Sequence, residues 1–286
     1  MSHRKRKTII LLVFLVALIV MVIWTAWGNT ALMINEITIT SDKIPQSFLG
    51  YRIAQISDLH NTEFGNNNAN LIEKLKECKP DIIVFTGDLV DSNHTNIDVS
   101  IAFAEKAIQI APCYFVTGNH EAKIDKSKYN ELLDRLADTG VIVLQNESVI
   151  LEKDHESITL LGVQDPSFQA DRLFDEEPAV MNSTLTELMK EANGYTVLLS
   201  HRPELFDTYV LNKVDLVLSG HAHGGQFRLP FVGGIVAPDQ GQFPKYDAGL
   251  YMGNDTSMVV SRGLGNSIIP FRVNNRPEIV VVELSR

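Results

Sequence analysis

Five short phrases in this sequence collect side chains that hold divalent metal ions through oxygen and nitrogen. They read Ser57-Asp58-Leu59-His60, Gly87-Asp88-Leu89-Val90-Asp91, Gly118-Asn119-His120-Glu121, Ser200-His201 and Gly220-His221-Ala222-His223-Gly224-Gly225. Five of the eight histidines fall inside them. Any one phrase has a plain explanation: Asp after a strand caps a turn, Gly-Asp and Gly-Asn are turn signals, and a lone histidine more often completes a local hydrogen bond than ligates a metal. Together they ask for more. Asp58, His60, Asp88, Asn119, His201, His221 and His223 bring no thiolate, and this donor mixture suits manganese, iron or zinc. Seven donors exceed the three protein ligands of a usual catalytic zinc, whereas two ions sharing one carboxylate would use them all. Two such ions about 3.5 to 4 Å apart repel. A shared carboxylate and a bridging hydroxide screen that repulsion, and the hydroxide is the expected nucleophile.

Something must carry these phrases to one place. Arg52 to Ile56, Ile82 to Thr86, Cys113 to Thr117, Thr196 to Ser200 and Asp215 to Ser219 are short, nearly continuous apolar runs, as in strands covered on both faces. Each runs directly into one of the five phrases. Asn68 to Cys78, Val99 to Ile110, Ser127 to Ala137 and Ser183 to Ala192 have apolar residues three and four apart, with Asn or Ser near their starts, and predict helices. Val149 to Leu151, Ile158 to Gly162, Leu250 to Gly253, Met258 to Ser261 and Ile279 to Glu283 predict strands joined by turns. The pattern is a layered α/β sandwich of mixed sheets. In such sheets ligands sit outside the carboxyl ends of the strands, so one crevice gathers phrases spread over some 160 residues. No Pro- or Ser-rich linker divides residues 31–286, and Asp165 to Pro178 reads as an excursion loop.

The first thirty residues are of another kind. Ile9 to Trp27 is nineteen residues without a charge, about the length of a helix crossing a ~30 Å hydrocarbon layer. Arg4, Lys5, Arg6 and Lys7 precede it, which puts residues 1–7 in the cytoplasm and the rest outside. A cleavable signal with Ala26-Trp27-Gly28 as its site is the alternative, but the apolar run exceeds the usual signal core of about 7 to 15 residues. A buried core helix would need a polar face, and the segment has none. The expected division is an anchor over residues 1–30 and one catalytic domain over residues 31–286.

Composition narrows the partners. Without the four leading positive charges, the chain carries 21 basic against 35 acidic residues, a net of -14. That is a poor surface for capturing nucleic acid. Cys78 and Cys113 lie in apolar stretches without CxxC or Cys/His spacing, which excludes a zinc finger and fits two reduced thiols inside a core. No P-loop and no HxHxDH signature is present.

The ordered set Asp-x-His, Gly-Asp, Gly-Asn-His-Glu, His and Gly-His-x-His resembles the calcineurin-like metallophosphoesterase superfamily, and within it the membrane-associated bacterial phosphodiesterase branch. The resemblance runs from roughly Tyr51 to Leu284, including Lys79-Pro80-Asp81 and Gly263-Leu264-Gly265 through Pro277-Glu278-Ile279. It implies a four-layer αββα sandwich of two mixed sheets. It also implies one divalent ion (Mn, Zn or Fe) on Asp58, His60, Asp88 and His223, and a second on Asp88, Asn119, His201 and His221, with Asp88 bridging. His120 would stabilise or protonate the leaving oxygen. Asp91 and Glu121 would accept hydrogen bonds from His120 or a ligating imidazole and fix its tautomer. Glu121 stands where many relatives carry Asp.

The substrate is less determined. Arg202, Arg228, Arg262 and Arg272 are candidates for gripping a phosphate, Arg272 foremost, against the plainer reading of ordinary ion pairs. A membrane anchor points to a phosphodiester or pyrophosphate that is lipid-linked or part of the envelope. Two other readings stand beside the phosphoesterase: a metal-dependent hydrolase of another ester or amide, and a noncatalytic anchored binding module.

Overall fold

Two six-stranded sheets organise the chain behind a single long helix. The computed structural model describes residues 3–169, 176–266 and 269–286. Helix α1 (His3–Thr30) leads into β1 (Met33–Thr40), followed by β2 (Arg52–Ile56), α2 (Ala69–Glu77), β3 (Ile82–Thr86), α3 (Ile97–Ala107), β4 (Cys113–Val116), α4 (Lys126–Asp138) and β5 (Ile142–Val143). The second half continues through β6 (Glu147–Lys153), β7 (Glu156–Gly162), α5 (Glu177–Glu191), β8 (Thr196–Leu199), α6 (Phe206–Leu211) and β9 (Leu216–Ser219). Two small ladders follow, β10 (Arg228–Leu229) with β11 (Gly233–Gly234) and β12 (Val236–Ala237) with β13 (Gly241–Gln242). The chain ends in β14 (Gly249–Gly253), β15 (Thr256–Val260) and β16 (Glu278–Ser285).

The first sheet runs β1-β16-β2-β3-β4-β5 and the second β14-β15-β9-β8-β7-β6. Both are mixed. In the first, only the β16–β2 pair is antiparallel; in the second, the outer pairs β14–β15 and β7–β6 are. Alternation along the strands sets the layers. Ile53, Val84 and Tyr114 meet Leu160, Val197 and Leu216 between the sheets. Ala54, Phe85 and Phe115 face Leu71, Phe103 and Leu132 of α2, α3 and α4. Leu161, Leu198 and Val217 face Met181, Leu185 and Tyr209 of α5 and α6. This is the αββα order. Full burial of one such Val or Leu is worth about 1.5–3 kcal/mol, so the three apolar layers fix the spacing of everything at their edge.

Every strand and helix named from the sequence is present, with ends moved by a few residues. Helix α5 starts six residues before Ser183, because Glu177-Pro178 opens its first turn, where proline is tolerated. Residues 170–175 of the anticipated excursion loop lie outside the described residues; the flanking part is a 3-10 turn over Pro166–Phe168. Strand β1 and helix α6 were not anticipated. The alternation Ile34, Glu36, Thr38 against Asn35, Ile37, Ile39 is too weak to mark β1, which gains its place by pairing with β16 over its whole length. Cys78 and Cys113 are free and buried. The apolar side chains of helix α1 are exposed along most of its length, with Phe14 66% and Leu11 67% exposed, which removes the core-helix reading. It is long and apolar enough to cross a membrane.

Candidate metal centre

Strands β2, β3 and β4 are parallel neighbours in one sheet, as β8 and β9 are in the other. Their carboxyl ends therefore deliver all five phrases to the same edge. Backbone contacts tie them there: His60 N donates to Asp88 O at 3.0 Å, and His221 N to Asp58 Oδ1 at 3.1 Å. Across the sheets, Gln55 Nε2 donates to Ser219 O at 2.8 Å.

The turns after these strands are unusual. Asp58, His60, Asp88, His221 and His223 all have positive φ, between 47° and 66°. This left-handed conformation tolerates Asp, Asn and His better than most side chains, and it costs energy that persists only where the surroundings enforce it. Its effect is to turn the side chains back over the strand ends. Space for that is kept by glycine. A Cβ on Gly87, itself at φ 90°, would lie 2.6 Å from His201 Nδ1, and one on Gly220 would collide with Ser57 and Asp58.

Two triplets result. In the first, His60 Nε2 and His223 Nε2 lie 3.2 Å apart, and His223 Nε2 lies 3.5 Å from Asp58 Oδ1. In the second, His201 Nε2 lies 3.2 Å from both Asp88 Oδ2 and His221 Nδ1. Asp88 Oδ2 is also 3.6 Å from His60 Nε2, so one carboxylate oxygen faces both triplets. Asp88 Oδ1 accepts from His120 N at 2.8 Å, which holds the carboxylate in that pose. Asn119 follows Gly118 on the same turn, and its side-chain oxygen is buried without a hydrogen-bond partner.

Such a cluster suits cations. Imidazole nitrogens turned toward each other, carboxylates crowded between them and an unpartnered amide oxygen are costly by themselves and complementary to divalent ions. Burial drives His60 down to about 4 and His223 down to about 3, so both rings are neutral and keep lone pairs. Burial opposes ionisation of Asp58 and Asp88 as well. The surrounding histidines outweigh it, His223 and His201 foremost for Asp58 and His201 for Asp88, and both carboxyls are held below their ordinary value. His201 goes the other way: against its burial, the Asp88 carboxylate raises it to about 10. Its Nδ1 donates to Thr86 O at 2.7 Å, leaving Nε2 aimed at Asp88.

His120 stands at the margin, its ring edge-on to His60 with centroids 4.5 Å apart. Its Nδ1 accepts from Ser92 N at 2.9 Å, so a neutral ring carries its proton on Nε2. Burial lowers its pKa. Asp91 caps the next turn through Asn93 N and His94 N, with its other oxygen 3.8 Å from His60 Nδ1. Glu121 does not orient an imidazole. Its oxygens accept from the backbone amides of Asp88, Val90 and Gly118, fastening the second phrase to the third.

The arginines expected to grip substrate are engaged within the chain. Arg202, 3% exposed, forms a two-pronged pair with Asp165 and also reaches Glu204 and Asp239. Arg228 donates to Gly224 O and Asp247. Arg272 is buried, donates to the carbonyls of Arg262 and Gly265 and to Asn266 Oδ1, and lies 3.4 Å from His223 Nδ1. Arg262 lies 3.6 Å from the Glu278 carboxylate. Sequence reasoning missed Asp239, whose carboxylate sits 2.9 Å from His221 Nε2, and Ser92. A plain turn at Pro238-Asp239-Gln240 carries no mark of that role.

Residues 51–225 match the calcineurin-like phosphoesterases, and the chain belongs to that family, a class of metal-dependent phosphoesterases. It is 31% identical to YkuE, an uncharacterized metallophosphoesterase of Bacillus subtilis, over 87% of this chain and 84% of that protein. It is 29% identical to phosphodiesterase YaeI of Escherichia coli over 82% of each. A zebrafish transmembrane protein with a metallophosphoesterase domain is 30% identical over 88% of this chain and 57% of its own length. The apolar helix and the transmembrane relative together point to membrane association.

Proposed function

We propose that this chain is a membrane-anchored phosphodiesterase with a two-ion centre, acting on phosphodiester or pyrophosphate bonds of a membrane- or envelope-associated substrate. Asp58, His60, Asp88 and His223 hold one ion, and Asp88, Asn119, His201 and His221 the other. The observation that carries the reading is the single oxygen, Asp88 Oδ2, lying within 3.6 Å of histidines in both triplets. Divalent ions there supply Lewis acidity and make a nucleophile available from water near neutral pH.

The chain's own residues do the rest. Thr86 O and Asp239 orient His201 and His221 through their outward nitrogens. The Ser92 amide keeps the His120 proton on Nε2, where it can be donated to a leaving alkoxide. Glu121 keeps the Asp88 and Asn119 turns in register. Residues 1–30 form the anchor, with the basic tip in the cytoplasm and residues 31–286 outside as one catalytic domain.

Stripping full-length protein in detergent with a chelator is expected to abolish hydrolysis of bis(p-nitrophenyl) phosphate, and manganese to restore it. Undiminished turnover by stripped protein sinks the proposal. Turnover of carboxylic esters or amides but not phosphates would favour the broader hydrolase. His120→Ala is expected to lower kcat by about 10²–10⁴-fold with both ions retained. Loss of an ion in that variant would assign His120 to metal binding instead.

A further inference from the structure

The last turns of α1 do more than tether the domain. Asn29 clamps the backbone of Arg272, donating to its carbonyl at 2.8 Å and accepting from its amide at 2.7 Å. The Arg276 guanidinium lies 4.8 Å from the Trp27 ring centre and donates to Ala31 O and Leu32 O. The loop held this way carries Arg272, whose guanidinium touches His223. Helix end and metal centre are thus joined through one residue.

Between that loop and the helix lies a cleft of about 530 Å³, walled by Met21, Val22 and Ala26 on one side and Pro270, Phe271 and Val273 on the other. Its size is that of a small-ligand site. Phe271 and Val273 on its wall are exposed apolar residues. With α1 as the proposed anchor, the medium around its exposed apolar residues is hydrocarbon, and Met21 and Val22 belong both to that surface and to the cleft. Its occupant is therefore chemically defined.

We propose that this cleft binds one hydrocarbon chain of an amphiphilic substrate, so that the phosphoester at its head reaches the metal centre across the Arg272 loop. The proposal rests on the phosphoesterase reading and narrows its substrate class to lipid phosphoesters. Ala26→Trp fills the cleft. Val20→Trp, outside it, serves as the control for helix insertion.

Two measurements test this on the full chain in bicelles. A long-chain alkyl phosphate bearing a diazirine is expected to label Met21, Phe271 or Val273, and Ala26→Trp, not Val20→Trp, to remove that labelling. A diazirine alkane without phosphate that labels the cleft equally well would overturn the proposal, because the cleft is then ordinary lipid contact. In turnover, Ala26→Trp is expected to lower kcat/KM for hexadecyl p-nitrophenyl phosphate about tenfold or more while methyl p-nitrophenyl phosphate is unchanged. Equal loss on both esters, or loss on neither, would also overturn it. If wild-type protein hydrolyses neither ester with any divalent ion, the phosphoesterase reading fails and the labelling alone decides the cleft.

Discussion

Asp88→Asn is expected to lower kcat/KM toward a phosphodiester by about a thousandfold or more, beyond the 10- to 100-fold usual for residues that merely orient a metal ligand. Asparagine keeps the oxygen that accepts from His120 N and so retains the turn, while removing the negative charge shared between the triplets. Metal analysis should then find fewer than two ions per chain. Circular dichroism should match the parent. If the variant keeps two ions and ordinary activity, Asp88 does not bridge, and the assignment of the other ligands loses its centre.

The second large effect concerns stability. Arg202→Ala removes the cation from a buried cluster and leaves Asp165, 1% exposed, without its two-pronged partner. Breaking a buried pair from one side typically costs about 3–5 kcal/mol, and thermal unfolding should show it as a fall of several degrees. The pH dependence has a definite sign. Burial alone would raise Asp165, but Arg202 outweighs it and holds the carboxyl below its ordinary value of 3.8. The pair's stabilisation is therefore present above pH 3.8 and lost as pH falls through the lower folded-state value. Arg202→Ala should flatten this acid limb. An unchanged acid limb and an unchanged melting temperature would show that the Arg202–Asp165 pair does not stabilise the fold.

Much of this was legible because the candidate ligands cluster at strand ends. Apolar runs of the right length predict β2, β3, β4, β8 and β9, and the phrases following them contain Asp58, His60, Asp88, Asn119, His201, His221 and His223. Residue type alone was not enough, since each phrase has a plain explanation as a turn; their repetition at five strand ends was the signal. The supporting layer was not legible. Ser92 acts through its backbone amide, which any residue other than proline would offer. Asp239 meets His221 only because a distant loop folds back. Glu121 seemed suited to an imidazole by its proximity in sequence, yet its reach carries it to backbone amides. The arginines show the converse limit: their chemistry fits phosphate, but carboxylates and carbonyls elsewhere in the chain engage them first. Strand β1 was hidden because its pairing, not its composition, makes it a strand.

That pairing has a consequence for the order of assembly. Strand β16, far along the chain from β1 and β2, lies between them rather than at an edge. The first sheet therefore closes only when this distant strand docks, a non-local pairing of the slow-forming kind. Deleting residues 278–286 would leave a gap in the middle of that sheet. Loss of Glu278 would also release Arg262 N, which donates to its carboxylate at 2.9 Å, beside the loop that reaches His223. Docking of the most distant strand is thereby coupled to assembly of the centre.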